Sequence, residues 1–268
     1  MTENSGIVRH EAEPAKAAVS TFAVFGFALA ILCALAAVLS GPGHRWGWWD
    51  FRVGFSILRW AAYVGLGAVG ISLVGCIRAR PGGPRRGFAW AVLGFVTSLA
   101  VVGVLALKEW NYLRIAREVP PIHDITTDTM NPPRFIAILP FRKDAPNPAE
   151  YGGAAIAAQQ NKGYPDLGPA IFDVPPDQVF ERAAAVARAM GWSIVAAVPI
   201  EGRIEAVDTT FWFGFKDDVV VRITPVGPGS RVDVRSVSRI GRSDLGTNAK
   251  RIRTFLTKLA ASVASSAY

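Results

Sequence analysis

The sequence predicts an α+β domain, an antiparallel sheet of about four strands with two helices packed on it, attached to an all-α transmembrane region. Three observations predict this. Apolar runs near residues 17–40, 55–77 and 87–107 each reach the roughly 20 residues that a helix needs to cross a hydrocarbon core. Ionisable groups are unevenly divided: residues 1–107 hold nine Lys or Arg and four Asp or Glu, whereas residues 108–268 hold twenty and seventeen. From Ile171 onward, a stretch with helical spacing, four strand-like runs and a second helical stretch follow in turn. The divisions are a cytoplasmic tail over 1–16, a membrane region over 17–107, a linker and proline-rich irregular segment over 108–170, and the α+β core over 171–268.

In the membrane region, Arg9 and Lys16 precede the first apolar run as they would in a secretory signal. The run is long and lacks an A-x-A cleavage pattern, which favours a retained helix. Between the first two runs, Trp46, Trp48, Trp49 and Phe51 form the aromatic belt expected at a membrane–water interface. Arg59, the one charge inside the runs, stands beside Trp60 near the start of the second, where a long side chain can reach back to headgroups. Gly65, Gly67, Gly70, Gly75, Gly94 and Gly103 permit close helix contact. The runs contain no acidic residue or histidine, and three unbroken spans are few for a transporter.

Arg78, Arg80, Arg85 and Arg86 crowd the second connection and place it in the cytoplasm. A multi-pass protein of the bacterial cytoplasmic (inner) membrane follows, with a cytoplasmic N-terminus and a water-soluble C-terminal domain outside, in the periplasm of a two-membrane cell. The net charge of +8 splits as +5 and +3 across the two parts. It thus owes much to membrane topology and argues against a nucleic-acid partner. The two cysteines, Cys33 and Cys76, lie in the apolar runs, which leaves the domain without a disulfide framework or a cysteine zinc site.

The segment from 108 to about 170 carries nine prolines that disfavour long helices, and it is expected to wrap the domain. Within it, Ile122–Asp128 could add a short strand. Val179, Phe180, Ala183, Val186, Ala187 and Met190 recur at helical spacing, and Gly191 is placed to end that helix. Strands are expected over 193–198, 203–213, 218–225 and 230–239, with Asp217 and Asp218 in the turn between the second and third. In the closing helix Leu245, Ile252, Leu256, Leu259 and Val263 form the apolar stripe that covers the sheet.

Charge is concentrated between Arg231 and Lys258, where eight basic residues meet two acidic ones. Arg231, Asp233, Arg235 and Arg239 share one face of the last strand, with Val232, Val234, Ser236 and Ser238 on the other. The strand leads into a helix whose first N–H groups and positive dipole end lie beside Arg239 and Arg242. Arg235, Arg239, Arg242, Asn248 and Arg251 are therefore the candidate anion ligands. The competing reading is structural: Ser243 or Asp244 caps the helix, and the arginines pair with carboxylates.

Three stretches, PPIHDITTDTMNPPRF at 120–135, IEAVDTTFWFGFKDDVVVRI at 204–223 and RSVSRIGRSDLGTNAKRIRTFL at 235–256, resemble the bacterial family known as domain of unknown function 1499. Residues matching its recurrent positions are Asp124, Thr127, Asp128, Asp218, Arg222, Arg235, Ser236, Ser238, Arg239, Gly241, Asp244, Gly246, Asn248 and Arg251. The resemblance implies no activity or cofactor.

The expected function is thus a non-catalytic, membrane-anchored module that binds an anionic envelope molecule or lipid. A scaffold that docks a protein partner is the alternative. A hydrolase or metal-dependent enzyme would have to rely on His123, Asp124 and Asp128, residues that fit turns and strand caps equally well. Neither catalytic residues nor a metal site are assigned, and Phe211, Trp212, Phe213 and Phe215 fit hairpin packing better than a pocket.

Overall fold

A computed structural model describes residues 17–265, and its first three helices coincide with the apolar runs: α1 Thr21–Arg45, α2 Phe51–Arg78 and α3 Phe88–Glu118. All three are long and apolar enough to cross a membrane. The expected tail over 1–16 lies outside the described residues. Residues 108–118, read as linker, instead continue α3. At 1.5 Å per residue, its 31 residues span about 46 Å, beyond the ~30 Å of a hydrocarbon core.

The chain divides into two compact units, one of residues up to Ser40 with Arg52–Ala106, the other of Gly41–Phe51 with Leu107 onward. In the first unit, small residues decide where the helices meet. Gly54, Ala61, Gly65, Ala68, Ser72 and Gly75 are buried along one stripe of α2. A Cβ on Gly75 would press on the backbone of Ala23, and one on Gly94 on the backbone of Phe27. Gly67, Gly70 and Gly103 have open space around them instead, so only part of the expected glycine set serves helix contact. Leu66, Leu73 and Leu99 stay exposed, the division of small and large residues found in membrane helices.

In the second unit the chain forms β1 (Asp124–Thr126), α4 (Gly153–Gly163), β2 (Ala170–Phe172), α5 (Pro176–Ala189), β3 (Ser193–Val198), β4 (Arg203–Thr209), β5 (Lys216–Val226), β6 (Gly229–Ser238) and α6 (Thr247–Ala264). The sheet is antiparallel in the order β1-β6-β5-β4-β3, with β2 pairing the other end of β6. Four consecutive strands form the expected meander. The expected short strand is β1, whereas β2 and α4 were not anticipated, because each lies in the proline-rich segment and draws its pairing from residues distant in sequence. Gln160 on α4 shows how: its side-chain amide accepts from the Thr126 N–H at 2.9 Å and donates to the Thr126 carbonyl at 2.6 Å, serving β1 as a neighbouring strand would.

The turn between β4 and β5 occupies Thr210–Phe215, and Asp217 and Asp218 lie inside β5 opposite Ser238 and Val237. This corrects their expected place in the turn. The two-residue period then sends them to opposite faces.

Helices α5 and α6 cover one face of the sheet. Val179, Phe180, Ile252, Phe255 and Leu259 pack there with Ile204, Val219, Val221, Val232 and Val234, and Trp192 stacks on Phe255 at 5.2 Å. The other face carries the smaller cluster of Phe135, Ile138, Val220 and Val237. It is covered by the irregular segment from Asp128 to Tyr151, here called the strap. Of the span from 108 to about 170 expected to wrap the domain, this part lies over one sheet face, while the rest includes the end of α3, β1 and α4.

Candidate functional site

Beneath the strap, arginines and carboxylates of the sheet alternate with valines. Arg235 grips Asp124 with both ends, Nε to Oδ1 at 2.9 Å and Nη2 to Oδ2 at 2.7 Å. Its Nη2 also donates to the Ala149 carbonyl at 2.7 Å, and the guanidinium lies 5.0 Å from the Phe135 ring centre and 5.5 Å from that of Tyr151. Both charges are buried. Burial pushes the Asp124 carboxyl above its ordinary value, and the Arg235 hydrogen bonds oppose that shift.

Asp218, wholly buried, receives two guanidinium groups, Arg239 at 2.7 Å and Arg142 from the strap. Arg239 Nη1 also donates to the Phe141 carbonyl, and Arg142 Nη2 donates to the carbonyls of Asn147 and Pro148. Further along, Asp128 and Asp233 share Arg222 and Arg231 at 2.9–3.1 Å. Glu205 accepts the backbone N–H groups of Ile136, Ala137 and Ile138 and pairs with Arg203. These contacts tie the strap down by its backbone, so the polar face of β4–β6 holds its cover rather than facing water.

A second network occupies the helix-covered face. Arg251 reaches Asp217 at 2.6 Å, Asp208 at 2.7 Å and the Ser236 hydroxyl at 3.1 Å, and it contacts Asn248. Asn248 receives the Ser236 hydroxyl and donates to the Ser238 hydroxyl and the His123 carbonyl. Asp244 accepts the N–H groups of Gly246 and Asn248 at the start of α6, and burial pushes its carboxyl up. The anion at that helix end is the protein's own side chain. Gly241 and Gly246 hold φ values of 102° and 78°, a left-handed backbone that explains glycine at both positions.

The five candidate anion ligands therefore do not converge. Arg235 and Arg239 lie under the strap, Asn248 and Arg251 are buried on the sheet-facing side of α6, and Arg242 is exposed. His123, Asp124 and Asp128 are likewise committed separately: His123 Nδ1 lies 3.4 Å from the Arg242 carbonyl, Asp124 holds Arg235, and Asp128 holds Arg222 and Arg231. Among the described residues, no group of three His, Cys, Asp or Glu side chains could hold a metal ion.

What remains open is the outer surface of the strap. A cavity of about 460 Å³ is lined by Met130, Asn131, Pro132, Arg134, Phe135, Leu139, Ala149, Glu150, Tyr151 and Arg235. A second of about 230 Å³ shares Asn131, Pro132 and Arg134 with the first. Arg134 is exposed and forms no ion pair or hydrogen bond among the described residues, unlike the arginines beneath it. The Tyr151 hydroxyl is buried in the wall without a hydrogen-bond partner, and burial pushes it up to about 12. Met130, Arg134, Arg142 and Tyr151 escaped the sequence reading because the strap has no periodicity to show which of its side chains point inward, and Glu205 of β4 escaped it because its partners are backbone N–H groups of that strap.

The model of one family, described as proteins of unknown function (DUF1499), matches residues 124–259, about half of the chain. The chain belongs to this family. The match opens at Asp124 in β1 and closes at Leu259 in α6, so the family's domain takes in the whole sheet, the strap and the ion pairs between them. It leaves the first three helices outside. No curated protein matches the chain.

Proposed function

We propose that this member of the family is a non-catalytic binding module of the bacterial envelope. Three transmembrane helices tether it to the cytoplasmic membrane, and its domain lies on the outer side. The ligand is an anionic amphiphile of the envelope, a lipid or a lipid-linked glycan phosphate, whose head group meets Arg134 and whose apolar part lies along Met130, Phe135 and Leu139. The observation that carries this reading is Arg134, an unpaired guanidinium on the rim of both cavities. The larger cavity falls within the range of small-molecule sites, a few hundred to a thousand Å³. The orientation rests on Arg78, Arg80, Arg85 and Arg86 in the short connection between α2 and α3.

Exposed apolar side chains on the strap favour a second reading, docking of a protein: Met130 is 93% exposed, with Ile136 and Phe141 also at the surface. A photo-reactive benzoylphenylalanine at position 130, with one at Lys250 as control, separates the two in living cells. Adducts at 130 carrying the mass of an acidic amphiphile support the ligand reading. A discrete protein adduct at 130 replaces it with docking. Equal adducts at 130 and 250 contradict both.

A further inference from the structure

The turn between β4 and β5 is built to hold aromatic side chains outward. Thr210 closes it: its N–H donates to the Phe215 carbonyl at 2.8 Å, its carbonyl accepts the Gly214 N–H at 3.0 Å, and its hydroxyl accepts the Phe215 N–H at 2.9 Å. The stacked rings of Phe213 and Phe215, 5.3 Å apart, fill its inner side. Phe211 projects from it 87% exposed, and Trp212 is also exposed.

This turn packs against Gly41–Phe51, which comprises the end of α1, the connection to α2 and the first residue of α2. Arg45 Nη1 donates to the Phe211 carbonyl at 2.8 Å, the His44 ring lies 5.7 Å from that of Phe215, and Phe51 meets Phe215 edge-on at 5.8 Å. The Trp212 indole covers Gly41 so closely that a Cβ there would overlap it. Trp46 and Trp48 stand exposed in the same stretch, their rings 4.9 Å apart. Because Gly41–Phe51 connects two helices long and apolar enough to cross a membrane, it lies at a membrane face when they do so. Whatever is pinned to it lies there too.

From this juxtaposition we infer that the β4–β5 turn is a membrane-interface element, with Phe211 and Trp212 seated among lipid headgroups beside Trp46 and Trp48. Exposed aromatic rings prefer that zone to water, and their amphipathic or apolar bodies match its gradient of polarity. The hydrogen bond from Arg45 fixes the height of Phe211 relative to the end of α1.

Depth measurement by spin label tests this on the full chain in liposomes. Cys33 and Cys76 are replaced by Ala, and a nitroxide is placed in turn at Phe211→Cys, Trp48→Cys and Ile200→Cys. All three positions are surface sites, and Ile200, 97% exposed in the turn before β4, is the aqueous reference. The expected result is that a water-soluble nickel chelate relaxes the labels at 211 and 48 severalfold less than the label at 200, with dissolved oxygen showing the reverse order. Relaxation by nickel at 211 equal to that at 200 overturns the inference, whether or not position 48 is shielded.

Discussion

Arg235 Nη2 lies 2.7 Å from Asp124 Oδ2 while its Nε lies 2.9 Å from Oδ1, a two-point pair buried between β6 and β1. Fully desolvated charges of this kind gain little as a pair but cost a great deal when one partner is removed. Arg235→Ala is expected to lower stability by about 3–5 kcal/mol. The double variant Asp124→Ala/Arg235→Ala is expected to lose clearly less than the sum of the single changes. Urea unfolding of the full chain in detergent reads both, and additive losses would contradict the coupling.

The strap is held by backbone, and Glu205 makes the densest contact with it. Replacing Glu205 by Ala leaves the N–H groups of Ile136, Ala137 and Ile138 without their acceptor, at about 1–3 kcal/mol for a buried unsatisfied group. Amide exchange at 136–138 is expected to accelerate while exchange in β5 and β6 stays slow. Uniform acceleration through the sheet would show that the strap and the sheet open together.

The Asp244 carboxylate accepts the N–H of Gly246, just before α6, and that of Asn248 in its first turn. Asp244→Ala is expected to cost about 1–2 kcal/mol, and Asp244→Asn, which keeps one acceptor oxygen, less. Thermal unfolding of the three proteins gives the order; equal losses for Ala and Asn would remove the cap.

Tyr151 and Tyr164 both carry buried hydroxyls without partners, and burial pushes each up to about 12. A folded-state pKa above the unfolded value near 10 means that the folded chain holds the proton more tightly. The associated stability is complete below pH 10 and lost as pH rises from 10 towards 12. Between pH 9 and 11.5 the midpoint of thermal unfolding is expected to fall more steeply for the native chain than for Tyr151→Phe/Tyr164→Phe. Parallel profiles would contradict this.

The parts of the fold that were legible in the sequence are those with a period. The apolar runs give α1 to α3, the spacing from Val179 to Met190 gives α5, and alternation along Arg231–Arg239 separates the two faces of β6 correctly. The end of α3 was missed because Lys108–Glu118 ends the apolar run without ending the helix. Asp217 and Asp218 were misplaced because two adjacent aspartates imitate a turn, and only Arg251 and Arg239 on opposite faces reveal them as strand residues.

The candidate site was less legible for a related reason. A run of arginines in sequence shows positive charge but not where the carboxylates are, and Asp124, Asp218 and Asp208 come to Arg235, Arg239 and Arg251 from other elements. Arg134 follows two prolines in a stretch without periodicity, and that it has no partner among the described residues is visible only in three dimensions.

The central claim, a ligand held at the strap cavity by Arg134, is tested most directly by the native mass of the full chain released from gentle detergent. The native chain is expected to carry a reproducible extra mass that is absent from Arg134→Glu and retained in Arg242→Glu. An extra mass that survives Arg134→Glu, or no bound mass on the native chain, would contradict it.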